Sequence, residues 1–277
     1  RRFSFPLCRE YGSVLPLTIY PAAAADQGVI ALSQQDTEPA SPADEDQPGA
    51  LRAVVTLTLE TRQAQRMVKG RPGTTDKPAI IGLIGFANRL RVIWQGARAD
   101  DPYADWWLVK IHDALDVADQ VVQASLDAVQ TRLTGIEAIS ATPGASVRPI
   151  RTPLRFSNPY AYRASHLVAH YDRLVRGVLT AQHIGVVTRD DAARVLAFGG
   201  RQLRRAFLSP LGYRLTGITR EDVCQGTARY AKAQTSMGEV PTDVLSAALR
   251  APHAPERPMP ASGLAKYRQL QPPSENA

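Results

Sequence analysis

Two segments of the chain place arginine and threonine side chains at every second position. They are LRAVVTLTLE (residues 51–60), whose polar face carries Arg52, Thr56 and Thr58, and SVRPIRTPLRF (residues 146–156), whose polar face carries Arg151 and Arg155. Arginine can donate two hydrogen bonds to guanine, and threonine can contact a base edge or the thymine methyl. If both segments are extended, their side chains alternate between two faces. The pattern therefore predicts one face that is buried and one that contacts the DNA major groove.

A third group of basic residues follows a pair of glycines in GGRQLRRAF. Arg201, Arg204 and Arg205 are three and four residues apart, so a helix would bring them to one side. Such side chains could contact DNA phosphates, which raises affinity without selecting a sequence. An ordinary solvated basic face remains the alternative. We expect the glycine pair to bend or interrupt the helix.

Residues with the chemistry of a metal or catalytic site do not form a recognisable motif. His166 and His170 are four residues apart, but the residues between them supply no glutamate of the kind a zinc protease needs. Asp101 before Pro102 reads as a helix cap, which explains the neighbouring Asp100 without chemistry. There is no phosphate-binding loop, dinucleotide motif or nucleophile elbow. We therefore expect no metal, no cofactor and no enzymatic activity.

Charge is distributed unevenly over the 277 residues. The net charge is +7, yet residues 1–50 carry three arginines against seven acidic residues. The remainder therefore has a net charge of +11, which favours a polyanionic partner, either nucleic acid or an anionic membrane surface. Cys8 and Cys224 are too far apart in sequence to suggest a disulfide, and the longest apolar run, residues 79–87, is too short to cross a bilayer. These features predict a cytoplasmic protein.

Composition predicts a folded block between two loose ends. Residues 1–50 read as a flexible acidic tail, either a plain solvated leader or a mimic of a nucleic-acid backbone. Residues 251–277 are rich in proline and read as a second tail. Residues 51–250 are expected to form a single domain.

Cap signals and apolar periodicity predict that this domain is mainly helical. The expected helices cover residues 61–69, 78–97 after a cap at Asp76, 102–133, and from Ser157 or Asn158 with Pro159 to Gly185, with further starts at Thr188 and Thr219. The two alternating segments predict strands at about 52–59 and 147–156. An isolated strand is unstable, so we expect the two to pair as an antiparallel ribbon with their apolar faces on the helices. A structural hairpin with a solvated polar face is the alternative interpretation.

Five blocks resemble a known family over about residues 51–252. In order they are LTLETRQAQRMVKGR, KPAIIGLIGFANRL, DDPYADWWLVKI, PLRFSNPYAYRASHLVAHYDRLVRGVL and GYRLTGITREDV. The order resembles proteins of bacterial integrating conjugative elements that are related to the AcaB-type transcriptional regulators of conjugative plasmids. The resemblance implies control of element transfer and a ribbon-helix-helix-like contact with double-stranded DNA, and it brings no catalytic residues. The chain departs from simple ribbon-helix-helix proteins in its size and in supplying both strands itself.

The leading hypothesis is therefore a DNA-binding regulator of conjugative transfer genes. Its rival is a non-enzymatic adaptor of the conjugation machinery that binds another protein through Trp94, Trp106 and Trp107. The operator, the choice between activation and repression, and the choice between a monomer and a homodimer stay open.

Overall fold

The computed structural model describes residues 54–135 and 141–257. Arg52 and the acidic segment 1–50 lie outside the described residues, as does most of the proline-rich segment. The elements are β1 (Val55–Leu59), α1 (Arg62–Lys69), α2 (Leu83–Arg98), α3 (Pro102–Thr134), β2 (Ile150–Leu154), α4 (Pro159–His183), α5 (Arg189–Leu208), α6 (Arg220–Gln225), α7 (Ala228–Met237) and α8 (Thr242–Leu245). The expected class, mainly helical with a two-stranded antiparallel ribbon, is confirmed.

The two strands pair as the alternation predicts. Val55 lies opposite Leu154 and Leu59 opposite Ile150, so β1 and β2 are antiparallel. Leu57, Leu59 and Leu154 are buried beneath the ribbon, whereas Ile150 at its end remains 41% exposed. Both strands are shorter than predicted, because regular pairing covers five residues of each.

The two longest helices, α3 and α4, pack along each other and form the centre of the core. Each begins at the predicted cap. Asp101 accepts hydrogen bonds from the N–H groups of Tyr103 and Ala104, and Asn158 accepts one from Ala161. Proline is the first residue of both helices, where its missing N–H costs no hydrogen bond. The side chains that α3 and α4 bury include Leu108, Ile111, Val122, Leu167, Leu174 and Val178.

The start predicted for α2 is wrong. Residues 71–80 form a hairpin closed by reciprocal backbone hydrogen bonds of 2.8 Å between Arg71 and Ile80, and Asp76 lies in its turn rather than at a cap. Gly70 has a φ of +68° and touches Gly82, where a Cβ would lie 2.4 Å from the Gly70 nitrogen. The close contact of these two glycines across the base of the hairpin delays the helix until Leu83.

The expected interruption of α5 is also wrong. The helix runs from Arg189 to Leu208 through Gly199 and Gly200, and both glycines are buried. A Cβ on Gly199 would lie 3.3 Å from the ring of Tyr171, and a Cβ on Gly200 would lie 3.0 Å from its hydroxyl. The glycines therefore let α5 cross α4 closely instead of ending the helix.

Residues 251–257, which begin the predicted proline-rich tail, contact the helices. Ala251 is buried, the N–H of His253 donates to the hydroxyl of Tyr160 at 3.1 Å, and Arg257 pairs with Asp100 at 3.6 Å.

Candidate nucleic-acid interface

The outer face of the ribbon presents polar side chains to solvent. Thr58 lies directly opposite Arg151, and Thr56 lies opposite Pro153, so three of the predicted side chains share one face. Thr56, Thr58 and Arg151 are all exposed. Within the described residues, these three side chains form no hydrogen bond or ion pair. They are therefore available to a ligand.

Arg155 and Arg52 extend the same alternation beyond the paired strands. Arg155 is exposed and lies one residue past the end of β2. Arg52 falls outside the described residues. The structure thus brings Thr56, Thr58 and Arg151 together on one face. Arg155 directly follows the strand β2 that carries Arg151.

The exit of β1 is held by a carboxylate from α4. Asp172 accepts hydrogen bonds from the N–H groups of Glu60 and Thr61, at 3.0 and 2.9 Å, and from the Thr61 hydroxyl at 2.6 Å. The Thr61 hydroxyl in turn caps α1 by accepting from the N–H of Ala64. Asp172 is only 4% exposed, so its charge is compensated by these donors rather than by water.

The segment that enters β2 is tied to the same helix. Arg176 of α4 forms an ion pair of 2.8 Å with Glu60 and donates to the carbonyl of Gly144 at 2.7 Å. Glu60 also accepts a hydrogen bond of 2.7 Å from the N–H of Ser146. One helix therefore positions both strands.

The three arginines of α5 differ in their surroundings. Arg201 and Arg205 are exposed, and the Arg201 guanidinium lies 5.9 Å from the ring centroid of Phe198. Arg204 is half-buried and faces a separate cleft of about 710 Å³. We call this the arginine cleft, and its walls are Gln63, Arg66, Met67, Gly70, Arg71, Ile80, Tyr171, Ala193, Leu196, Ala197 and Arg204.

Sequence reasoning did not single out Arg66 or Arg71 as site residues. They lie on either side of Gly70, and only the hairpin at 71–80 brings them to one cavity with Arg204. The motif block TRQAQRMVKGR contains both, but it carries no signal for the partner on α5.

Comparison with known proteins gives the chain its family. The model of the transcriptional regulator AcaB family matches residues 47–257, which is about three quarters of the chain. The chain belongs to the AcaB family of transcriptional regulators. No curated protein is significantly similar to it.

A solved AcaB structure shares the fold. The crystal structure of selenomethionine-containing AcaB from uropathogenic E. coli matches with a TM-score of 0.50 and 14% sequence identity, covering 70% of this chain and 96% of that chain. At this identity the likeness concerns the fold alone. The resemblance to AcaB-type regulators inferred from the sequence is confirmed.

In this AcaB-family chain, one of the two histidines and the neighbouring aspartates considered above serve structural contacts. His170 Nδ1 lies 2.6 Å from Asp119, whereas His166 is exposed. Among the described residues there is no group of three or more His, Cys, Asp or Glu side chains arranged to hold a metal ion. No helix of this described part combines the length and apolar character needed to span a membrane.

Asp101 is a cap whose charge is poorly solvated. Burial raises its pKa to about 6, although hydrogen bonds from the Tyr213 hydroxyl and from the N–H groups of Tyr103 and Ala104 oppose the rise. The residue is 1% exposed. Its carboxyl therefore titrates closer to neutral pH than an exposed aspartate.

Asp100 and Asp105 belong to a buried ion-pair network around Arg220. The Arg220 guanidinium lies 2.6 Å from each carboxylate and also donates to the carbonyls of Leu245 and Val244 at 3.0 Å. Arg220 is 1% exposed. This network joins the start of α3 to α6 and α8.

The tryptophans proposed for an adaptor role do not form an exposed stripe. Trp94 is 9% and Trp107 5% exposed, and Trp107 donates from Nε1 to the carbonyl of Leu211 at 3.2 Å. Trp106 is half-buried, with the ammonium of Lys110 3.2 Å from its ring centroid. The adaptor hypothesis thereby loses its tryptophan stripe.

Proposed function

We propose that this chain is a DNA-binding regulator of conjugative transfer genes on an integrating conjugative element, and that its ribbon enters the major groove. The observation that carries the proposal is the position of Thr58 opposite Arg151 on the exposed outer face of the ribbon, where neither side chain bonds to any described residue, while Leu57, Leu59 and Leu154 are buried beneath it. The major groove is about 12 Å wide, enough for a two-stranded ribbon. Membership of a family of transcriptional regulators and the basic character of residues 51–277 support the same conclusion.

The predicted residues divide into two roles in this proposal, apart from Arg204, which lines the arginine cleft. Thr56, Thr58, Arg151 and Arg155 contact base edges, with Arg52 as the expected neighbour on the same face. Arg201 and Arg205 bind phosphates, which adds affinity that does not depend on sequence. The protein acts in the bacterial cytoplasm, where its DNA is accessible.

The number of chains on the operator is part of the proposal. One chain supplies a complete ribbon, so it can contact a single site by itself. If a homodimer binds, its operator consists of two half-sites whose centres lie about 10 base pairs or a multiple apart. Footprint length distinguishes these arrangements.

Selection from a random-sequence DNA library tests the proposal. We expect enrichment of one motif, and we expect promoter fragments of the element that carry it to be retarded in a gel shift by the purified chain. Binding must weaken steeply between about 50 and 200 mM salt, because phosphate contacts release counterions. Absence of DNA binding at low salt would rule out the proposal. Binding without an enriched motif would reject the base-reading role of the ribbon.

A further inference from the structure

The arginine cleft gathers three cations that form no ion pair with the described residues. Arg66 projects from α1, Arg71 from the hairpin 71–80 and Arg204 from α5, and all three line the same space. No Asp or Glu occurs among the described residues that line it. Like charges that converge without a carboxylate repel one another, so an anion in this cleft would relieve that repulsion.

Arg71 is held in place, and none of the three cations is paired with a carboxylate among the described residues. Arg66 and Arg71 are exposed, and Arg204 is half-buried. Arg71 is fixed by its backbone pairing with Ile80 and by donation from Nη2 to the carbonyl of Pro78 at 3.0 Å. Within the described residues, the side chains of Arg66 and Arg204 have no ion-pair or hydrogen-bond partner. A guanidinium with free donors suits an oxyanion, above all a phosphate that accepts two parallel hydrogen bonds.

The base of the cleft adds neutral polar groups. The Tyr171 hydroxyl lies 3.3 Å from Oε1 of Gln63 and 3.2 Å from the carbonyl of Leu196. Burial raises the pKa of Tyr171, and the nearby Arg204 guanidinium partly offsets that rise. Tyr171 therefore stays a neutral phenol beside the cations, and Gln63 retains an amide that can donate to a ligand.

The remaining wall is apolar and leaves room for more than an inorganic ion. The apolar wall is formed by the side chains of Met67, Ile80 and Leu196. On the α5 side the cleft is lined by the small residues Ala193 and Ala197, which leave space for a ligand. A volume of about 710 Å³ lies within the range of about 300 to 1,000 Å³ typical of small-molecule sites. A free phosphate ion would occupy a small part of it.

We propose that the arginine cleft binds a small organic phosphate of nucleotide size, with its phosphate on Arg66, Arg71 and Arg204 and its apolar part against Met67, Ile80 and Leu196. The site is distinct from the outer face of the ribbon and does not require that face to read DNA. A phosphate of the DNA backbone has the same chemistry, so the experiment must separate the two sources.

Ligand-induced stabilisation of the full chain provides the test, with pyrophosphate, AMP and ATP as probes at constant ionic strength. A ligand that binds only the folded state raises the thermal midpoint with its concentration. We expect both nucleotides and pyrophosphate to stabilise the chain, and a nucleotide to bind more tightly than pyrophosphate because of the apolar wall. Titration calorimetry of the tightest probe then gives the dissociation constant.

Arginine variants connect the binding to this cleft. Arg66→Gln and Arg204→Gln should each weaken the tightest probe by about tenfold, since each removes a charge-assisted contact. Arg91→Gln removes the same charge from an exposed position of α2 outside the cleft and should leave the dissociation constant unchanged. Circular dichroism checks that the variants fold.

Two outcomes would overturn the proposal. One is a response that is absent in the wild type or equal in Arg204→Gln and Arg91→Gln, which would show that the cleft has no organic-phosphate site. The other is loss of duplex DNA affinity in the cleft variants without any binding of the small probes, which would assign the cleft to the DNA backbone. Because the probes are free of DNA, failure of the ribbon to bind DNA leaves this test intact.

Discussion

Asp172 on α4 accepts two hydrogen bonds from Thr61, one from its N–H at 2.9 Å and one from its hydroxyl at 2.6 Å. With the third bond from the N–H of Glu60, this single carboxylate fixes both the end of β1 and the beginning of α1. The orientation of the ribbon on the helices depends on it, because the two elements meet at these residues.

Asp172→Asn should destabilise the fold at neutral pH. An amide can accept through its oxygen only, so at least one of the three donors loses its partner, and the charge that strengthened the others is gone. We expect the free energy of unfolding to fall by about 2 to 3 kcal/mol, measured by urea denaturation. Asp76→Asn, in the exposed turn of the hairpin, is the control and should change it by less than about 0.5 kcal/mol. Equal stabilities of the two variants would contradict the role of Asp172.

Arginines of the ribbon and of α5 should affect DNA binding differently. Arg151→Ala or Arg155→Ala should cost about 1 to 3 kcal/mol at the selected site and much less on random DNA. Arg201→Ala or Arg205→Ala should weaken both DNAs alike and reduce the slope of log K against log salt by about 1. Lys232→Ala, an exposed charge on α7, serves as the control. Equal losses on both DNAs for Arg151→Ala would make this residue a phosphate contact.

The pH dependence of stability should report the buried cap Asp101. Its pKa is about 6 in the folded chain and about 3.8 when unfolded, so the folded state binds more protons between these values. The free energy of unfolding therefore falls as pH rises from about 4 to 6, and Asp101→Asn removes this loss. From pH 4 to pH 7, we expect the variant to gain about 2 kcal/mol relative to wild type in urea unfolding.

Asp113→Asn on the exposed side of the same helix is the matched control and should follow the wild type. Parallel pH profiles of Asp101→Asn and wild type would mean that the Asp101 carboxyl is not held in an unfavourable environment.

Arg220→Ala should be among the most destabilising substitutions. It leaves the buried Asp105 with Arg250 as its remaining ion-pair partner among the described residues, and it exposes the carbonyls of Val244 and Leu245 to a cavity. Breaking a buried pair in this way costs about 3 to 5 kcal/mol. Thermal unfolding measures the effect, with the exposed Arg229→Ala as reference. If Arg220→Ala lowers the free energy of unfolding by less than about 1 kcal/mol, water replaces the guanidinium.

Local signals in the sequence were sufficient for the ribbon and for the main helices. Alternation in VTLTL and IRTPL predicted both strands and the buried face of β1, and Asp101 with Pro102 and Ser157 or Asn158 with Pro159 predicted where α3 and α4 begin. These features depend on residues that are adjacent in sequence. Their physical cause is therefore visible before the chain folds.

Features that depend on distant residues could not be predicted in the same way. The hairpin at 71–80 requires Gly70 to touch Gly82. From the sequence, Gly199 predicts a break in the helix, whereas its role is to make room for the ring of Tyr171 on α4. Arginine is usually found at the protein surface, and only tertiary packing supplies the aspartates that allow Arg220 to be buried. Likewise, the arginine cleft exists because three separate elements converge.

The pairing of β1 with β2 also constrains how the chain folds. Leu59 and Ile150 are partners although about 90 residues separate them, so closing the ribbon carries a large loss of chain entropy. Such non-local contacts slow folding unless the intervening chain is already compact. We therefore expect α3 and α4 to associate first and the ribbon to assemble last, which makes the surface proposed to contact DNA the final part of the molecule to form.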